Sequence, residues 1–246
     1  MIRHHLVAGL CTSLLVITAC GSDSDSNDSA DSDTQAACDT WIAADTALVI
    51  FSVTGAGDRD SVNSAFDDAI AASDADRAAT LGDLKDSLQP IIENPESEPS
   101  NELMSQFGDA LGWVEDNCDV ATLDVSAKEF EYDGIPDTLD TGYTLVNFDN
   151  VGNEAHEMFV FRTNDGVTES FEEIIALPED EVFSKITPVN ATFAMPGGGD
   201  VGSWNLTEPG AYTVVCFIPL GTTADTEGDG PPHFTQGMVQ QFTVTS

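Results

Sequence analysis

The spacing of apolar residues in this chain changes once, between residues 120 and 125, and that change limits the folds open to it. Before it, four sets of positions recur every three or four residues: Trp41, Ala44, Leu48 and Phe51; Val62, Phe66, Ala69 and Ser73; Leu81, Leu84, Leu88 and Ile91; Leu103, Phe107, Leu111 and Val114. Each set lines one face of an α-helix. Breaks fall at Gly55-Ala56-Gly57, near Ser73-Asp74 and across Asn94-Pro95-Glu96-Ser97-Glu98-Pro99, and Pro90 is expected to end or kink the third helix early. Short connections predict an antiparallel four-helix bundle over residues 36–120. From Val125 to Ser246 the texture is of strands: Ala127–Tyr132, Tyr143–Phe148, His156–Arg162, Ala191–Met195, Gly202–Leu206, Tyr212–Ile218 and Met238–Thr245. Turn signals separate them and one helical insert, Glu169–Leu177, interrupts them. The fold class expected is α + β with two domains, the bundle followed by a two-sheet β-sandwich.

The start of the chain reads as an export signal over residues 1–19. Arg3, His4 and His5 precede an apolar run from Leu6 to Ile17, too short for a membrane span,. The run ends in Ile17-Thr18-Ala19-Cys20-Gly21, which resembles the lipobox of bacterial lipoproteins. That resemblance implies cleavage before Cys20, lipid attachment to its sulfur and an extracytoplasmic, membrane-anchored protein. The Ser-, Asp- and Asn-rich stretch after it, taken to residue 35, cannot bury enough apolar surface to order itself and is expected to be a disordered acidic tether.

The formal charge of −37 argues against nucleic acid, because phosphate binding needs a basic footprint. Cationic proteins and metal ions fit it. Of five cysteines, Cys11 leaves with the signal and Cys20 carries lipid. Cys38, Cys118 and Cys216 remain in a compartment where thiols pair, and three is odd. Cys38 precedes the first helix and Cys118 closes the fourth. An up-down-up-down bundle puts those two ends together, so they are the expected disulfide, with Cys216 left free.

Beyond the signal segment the chain has two histidines, His156 and His233. His233 follows Cys216 and precedes Met238. Two imidazoles, one thiolate and one thioether are the ligand set of a mononuclear electron-transfer copper centre. Taken singly, each residue has an ordinary reading: a buried core thiol, a strand-start methionine, two surface histidines. No other motif supports a catalytic centre. Gly197-Gly198-Gly199 lacks the lysine and helix of a phosphate loop, and Ser203 lacks a nucleophile-elbow context.

The stretch from Val125 to Ser246 resembles the cupredoxins, the blue copper proteins that include plastocyanin, azurin and the halocyanins. The residues that carry the resemblance are Glu129-Phe130, the segment Asn153 to His156, Pro209-Gly210-Ala211-Tyr212 leading to Cys216, His233 with Met238, and the ending Phe242-Thr243-Val244. It implies a Greek-key β-sandwich, with His156, Cys216 and His233 as equatorial ligands of one type 1 copper and Met238 as its weak axial ligand. The chain departs from the family in the sixteen residues between Cys216 and His233, of which the acidic, glycine-rich stretch Leu220 to Gly230 is read as a flexible excursion. Closure cost grows slowly with loop length, so the ligands can still meet. The function implied is single-electron transfer without enzymatic turnover. The apolar flank Pro231, Pro232 and Phe234 would be the exchange face, steered by acid toward a basic redox partner. Copper capture and delivery, or a copper-free interaction module, are the alternative readings.

Overall fold

The computed structural model describes residues 25–54, 58–94, 97 and 99–246. The signal segment, Cys20, the first tether residues and the Gly55-Ala56-Gly57 break lie outside the described residues. Four helices come first: α1 (Asp25–Thr54), α2 (Arg59–Ala71), α3 (Ala75–Glu93) and α4 (Asn101–Asn117). The Asp58 carboxylate accepts from the Ser61 N–H, Asp74 from those of Asp76 and Arg77, and Ser100 Oγ from that of Leu103. Each satisfies a backbone donor that the first turn leaves open. Trp41, Phe66, Leu81, Leu84 and Val114 are buried between the helices, and Arg77 lies over the rings of Trp113 and Trp41, 3.5 and 5.5 Å from their centroids. Cys38 and Cys118 are disulfide-bonded across a sequence separation of 80.

Three expectations about the helices are corrected. Residues 25–35, read as irregular tether, are helical as the first part of α1. Once Trp41 and Ala44 hold the helix against the core, each added residue gains a backbone hydrogen bond without a new nucleus, and the acid-rich sequence falls at the positive end of the helix dipole. Pro90 does not end α3, which continues to Glu93. Its missing N–H removes one bond, but Leu88 and Ile92 are buried on either side of it and keep the last turn docked,. Ile92, not Ile91, completes that buried stripe.

The second half contains β1 (Ala121–Lys128), β2 (Glu131–Asp133), β3 (Thr138–Asp140), β4 (Gly142–Asn150), β5 (His156–Thr163), β6 (Ile186–Ala194), β7 (Gly199–Leu206), β8 (Gly210–Val215) and β9 (Val239–Thr245). They form a four-stranded sheet, β2-β1-β4-β7, and a five-stranded sheet, β3-β9-β8-β5-β6. Pairing is antiparallel except for β1 with β4 and β3 with β9. Val146, Phe148, Met158, Val160, Trp204 and Phe242 fill the space between the sheets. This is the α + β architecture, helices followed by a two-sheet β-sandwich, that the sequence points to. The helical insert is two short helices, α5 (Phe171–Ile175) and α6 (Glu179–Lys185), because Pro178 between them cannot donate into a continuous helix,. They cover the outer face of the five-stranded sheet at Phe161 and Val215.

The bundle does not close on itself. Strand β4 is buried on both faces from Tyr143 to Val146. With a side-chain period of two, Val146 joins the sandwich core while Tyr143 and Leu145 complete the helical core. The seam also holds a buried carboxylate. Asp45 Oδ2 accepts from Tyr143 Oη at 2.9 Å and from Ser203 Oγ, and Thr46 Oγ1 accepts from Asn205 Nδ2 at 2.9 Å. Burial raises the Asp45 carboxyl from 3.8 to about 6, against the opposing pull of the Ser203 and Tyr143 hydrogen bonds.

A folded-state value above the unfolded one means that the fold prefers the protonated carboxyl. This contribution is complete below the unfolded value and is lost as pH rises through about 6, a difference of roughly 3 kcal/mol,. Asp45→Asn removes the titration and keeps an acceptor for Tyr143 and Ser203. Urea unfolding at about pH 4 and about pH 7.5 is expected to show the parent losing roughly 2 kcal/mol or slightly more relative to the variant between the two conditions, since pH 4 already lies just above the unfolded value,. Parallel pH profiles would refute this assignment.

Candidate metal centre

His156, Cys216 and His233 come from three places in the chain and meet in one cluster. His156 is the first residue of β5, Cys216 follows the last residue of β8, and His233 opens a 3₁₀ turn over His233–Gln236. His156 Nδ1 and His233 Nδ1 lie 3.1 Å apart, and Cys216 Sγ lies 3.4 Å from His233 Nδ1. Three donor atoms this close can turn lone pairs toward one ion held at about 2.0–2.3 Å from each. Met238 is fully buried beside Cys216. Its N–H donates to the His233 carbonyl at 3.3 Å, and its own carbonyl accepts from the Cys216 N–H at 3.2 Å. Gly237 makes the intervening turn possible, with φ of 105°, a conformation other residues rarely adopt,.

The insertion is pinched off rather than spread between the ligands. The His233 N–H donates to the Ile218 carbonyl at 2.9 Å, the Phe234 N–H to that of Cys216 at 2.9 Å, and the Leu220 N–H to that of Pro231 at 3.1 Å. Segment 217–232 therefore leaves and returns through one narrow neck, and Cys216 and His233 face each other as they would across a short loop. The expected free excursion is corrected here, because its backbone groups are spent on the neck and on neighbouring segments. Gly221 N–H donates to Glu154 Oε2 at 2.5 Å, and the Thr222 carbonyl accepts from Ala155 N–H at 2.8 Å.

All four candidate ligand residues are fully shielded from solvent. The His233 ring itself is closed off from solvent. Its Nε2 lies 3.1 Å from Glu154 Oε2 instead of pointing to water. His156 Nε2 lies 3.7 Å from Glu129 Oε1 and has no hydrogen-bond partner among the described residues. Glu129 Oε1 also accepts from the N–H groups of Asn153 and Glu154. Asn150, buried, ties the same loop by donating Nδ2 to the carbonyls of Glu154 and Ala194 while its Oδ1 accepts from Gly152 N–H. At Gly152 a Cβ would lie 2.7 Å from Glu129 Oε1 and 3.0 Å from His156 Nε2, so a side chain here would have to displace the Glu129 carboxylate from its place beside the ring. Sequence reasoning did not assign these roles to Glu154, Asn150 or Gly152.

The electrostatics prepare the imidazole and hold the thiol in reserve. Burial, followed by the neighbouring His233, lowers His156 from 6.5 to about 4, so the ring is neutral and able to donate a lone pair at neutral pH,. Burial pushes the Cys216 thiol up to about 12 against the backbone N–H groups of Glu157 and Ile218. The Glu157 N–H points at Sγ from 3.5 Å. A thiolate here needs a cation beside it, and a soft metal bonded to sulfur supplies that charge.

No protein-family model matches the chain, and no curated protein matches it. Among solved structures, auracyanin from Roseiflexus castenholzii is similar at 22% identity over 51% of this chain and 98% of its own, with a TM-score of 0.34. Auracyanin A of Chloroflexus aurantiacus, described as a "blue" copper protein, is 15% identical over 51% of this chain and 99% of its own, with a TM-score of 0.35. Rusticyanin from Thiobacillus ferrooxidans is 19% identical over 51% of this chain and 77% of its own, with a TM-score of 0.32.

Proposed function

We propose that this chain is a single-electron carrier that holds one copper ion through His156, Cys216 and His233, with Met238 as a weak fourth ligand. The observation that carries this reading is the convergence of one thiol and two imidazole Nδ1 atoms in a shielded cluster. Copper held by such a set would supply a Cu(I)/Cu(II) couple, since thiolate and thioether favour the softer state and imidazole accommodates both. The protein's own part is to keep the donors in place through the change. His156 is fixed at the start of a paired strand, and Cys216 and His233 are tied through the neck of the loop. Burial of all four side chains excludes water and supports retention of the metal over hand-over to an acceptor.

Electron entry is assigned to Phe217. It follows Cys216 directly, is 37% exposed, and packs against Phe159 and Phe234 at centroid distances of 5.7 and 5.4 Å. A partner with a basic rim fits the acidic surface. The Ile17-Thr18-Ala19-Cys20 run supports a lipid anchor at Cys20, and the Cys38–Cys118 bond supports an oxidising, extracytoplasmic compartment,. No helix among the described residues is long and apolar enough to cross a membrane.

Loading the chain with Cu(II) is the direct test. One equivalent is expected to produce an intense thiolate-to-copper band in the visible region that a mild reductant bleaches and an oxidant restores. A loaded protein without that band would end this reading.

A further inference from the structure

Glu154 makes two contacts with a single oxygen. Its Oε2 lies 3.1 Å from His233 Nε2 and accepts the Gly221 N–H at 2.5 Å. One contact reaches a candidate ligand and the other reaches segment 217–232, which covers it. The backbone on either side of Glu154 is itself held, because its N–H donates to Glu129 Oε1 at 2.8 Å and its carbonyl accepts from Asn150 Nδ2 at 2.8 Å. Its carboxylate is therefore a fixed reference point, not a mobile surface acid.

We propose that Glu154 is the positioning residue of the metal centre: it fixes His233 as the Nε2–H tautomer, with Nδ1 bare toward the metal space, and latches segment 217–232 over the ring. The inference rests on the reading of His233 as a ligand. A neutral imidazole carries one proton, and a carboxylate at hydrogen-bond distance from Nε2 claims it there. The partner of a metal-bound imidazole sets ring orientation and donor strength in this way.

A consequence follows for the second ring. The two Nδ1 atoms are 3.1 Å apart, and a hydrogen bond between them uses one proton. With His233 Nδ1 bare, His156 Nδ1 carries that proton in the metal-free protein. His156 Nε2 is then the bare nitrogen, consistent with its having no hydrogen-bond partner among the described residues. When a metal takes both Nδ1 positions, His156 moves its proton to Nε2, on the side of Glu129 Oε1, 3.7 Å away. One ligand is set before metal arrives and the other must switch.

Nitrogen-15 NMR of the metal-free chain reads both rings and requires no copper. The parent is expected to show His233 as Nε2–H and His156 as Nδ1–H. Adding Cu(I), which is diamagnetic, should convert only His156. Glu154→Ala should populate the Nδ1–H form of His233 and speed amide exchange at Gly221 roughly 10-fold or more, matching the loss of about one hydrogen bond. Glu154→Gln, whose amide oxygen can accept both contacts, should restore the parent pattern. Glu154→Asp, one methylene shorter, provides a second loss variant if the alanine protein fails to fold. An unchanged His233 tautomer and unchanged Gly221 protection in either loss variant would overturn the proposal. A missing charge-transfer band in the copper-loaded parent would strike the electron-carrier reading and leave these metal-free results standing.

Discussion

Cys216→Ser is expected to abolish the visible charge-transfer band and to weaken copper binding by roughly 100-fold or more, a loss at least as large as removing a hydrogen-bond partner of a ligand. The band depends on a sulfur-to-copper bond, so no neighbouring group can replace it. A serine hydroxyl does not ionise at neutral pH and is a poor ligand for Cu(I). The metal-free fold should survive the change. The new oxygen occupies a fully buried position with the Glu157 N–H at 3.5 Å and His233 Nδ1 at 3.4 Å from the present sulfur, so it has partners. Copper titration followed by visible absorption, beside circular dichroism of the metal-free protein, separates the two effects. Retention of the band in a well-folded serine variant would remove Cys216 from the centre.

The second large effect concerns the helical half. Replacing Cys38 and Cys118 with serine is expected to cost about 4 kcal/mol in the chain-entropy account, because the bond closes a loop with a sequence separation of 80,. Set against the roughly 5–15 kcal/mol that stabilises most domains, this is a large share. The crosslink joins α1 to the residue that ends α4, and so constrains the whole run between them when unfolded. Urea denaturation of the parent and the double variant should show the midpoint shift with little change in slope. A loss under roughly 1 kcal/mol would mean that the unfolded chain is already compact enough to make the bond redundant.

Much of the fold was legible because its signals are local. Trp41, Leu48, Phe66, Leu84 and Leu111 recur at helical spacing, and helices bury them. The scarcity of histidine singled out His156 and His233, and the odd cysteine singled out Cys216. Other features left no such trace. Glu154 and Glu129 are two acids among 44 acidic residues, and nothing in the sequence marks Glu154 as the neighbour of His233 or Glu129 as that of His156. The stretch Leu220 to Gly230 reads as flexible because it is rich in glycine and acid, yet backbone hydrogen bonds close the segment that contains it, and those leave no side-chain signal. The seam between the halves was also hidden. Its one cue was Tyr143-Thr144-Leu145-Val146, a strand without the apolar–polar alternation expected where one face meets water,.

That strand governs how this molecule can be dissected. Cutting the chain near residue 125 to isolate the metal-bearing half would strip Tyr143 and Leu145 of the helices that cover them and sever β1 midway, along with its pairing to β4. The excised fragment would present a greasy wall and a ragged sheet margin, both prone to sticking to other copies. The helices are thus the missing wall of the second half, and the natural unit for spectroscopy is the uncut polypeptide.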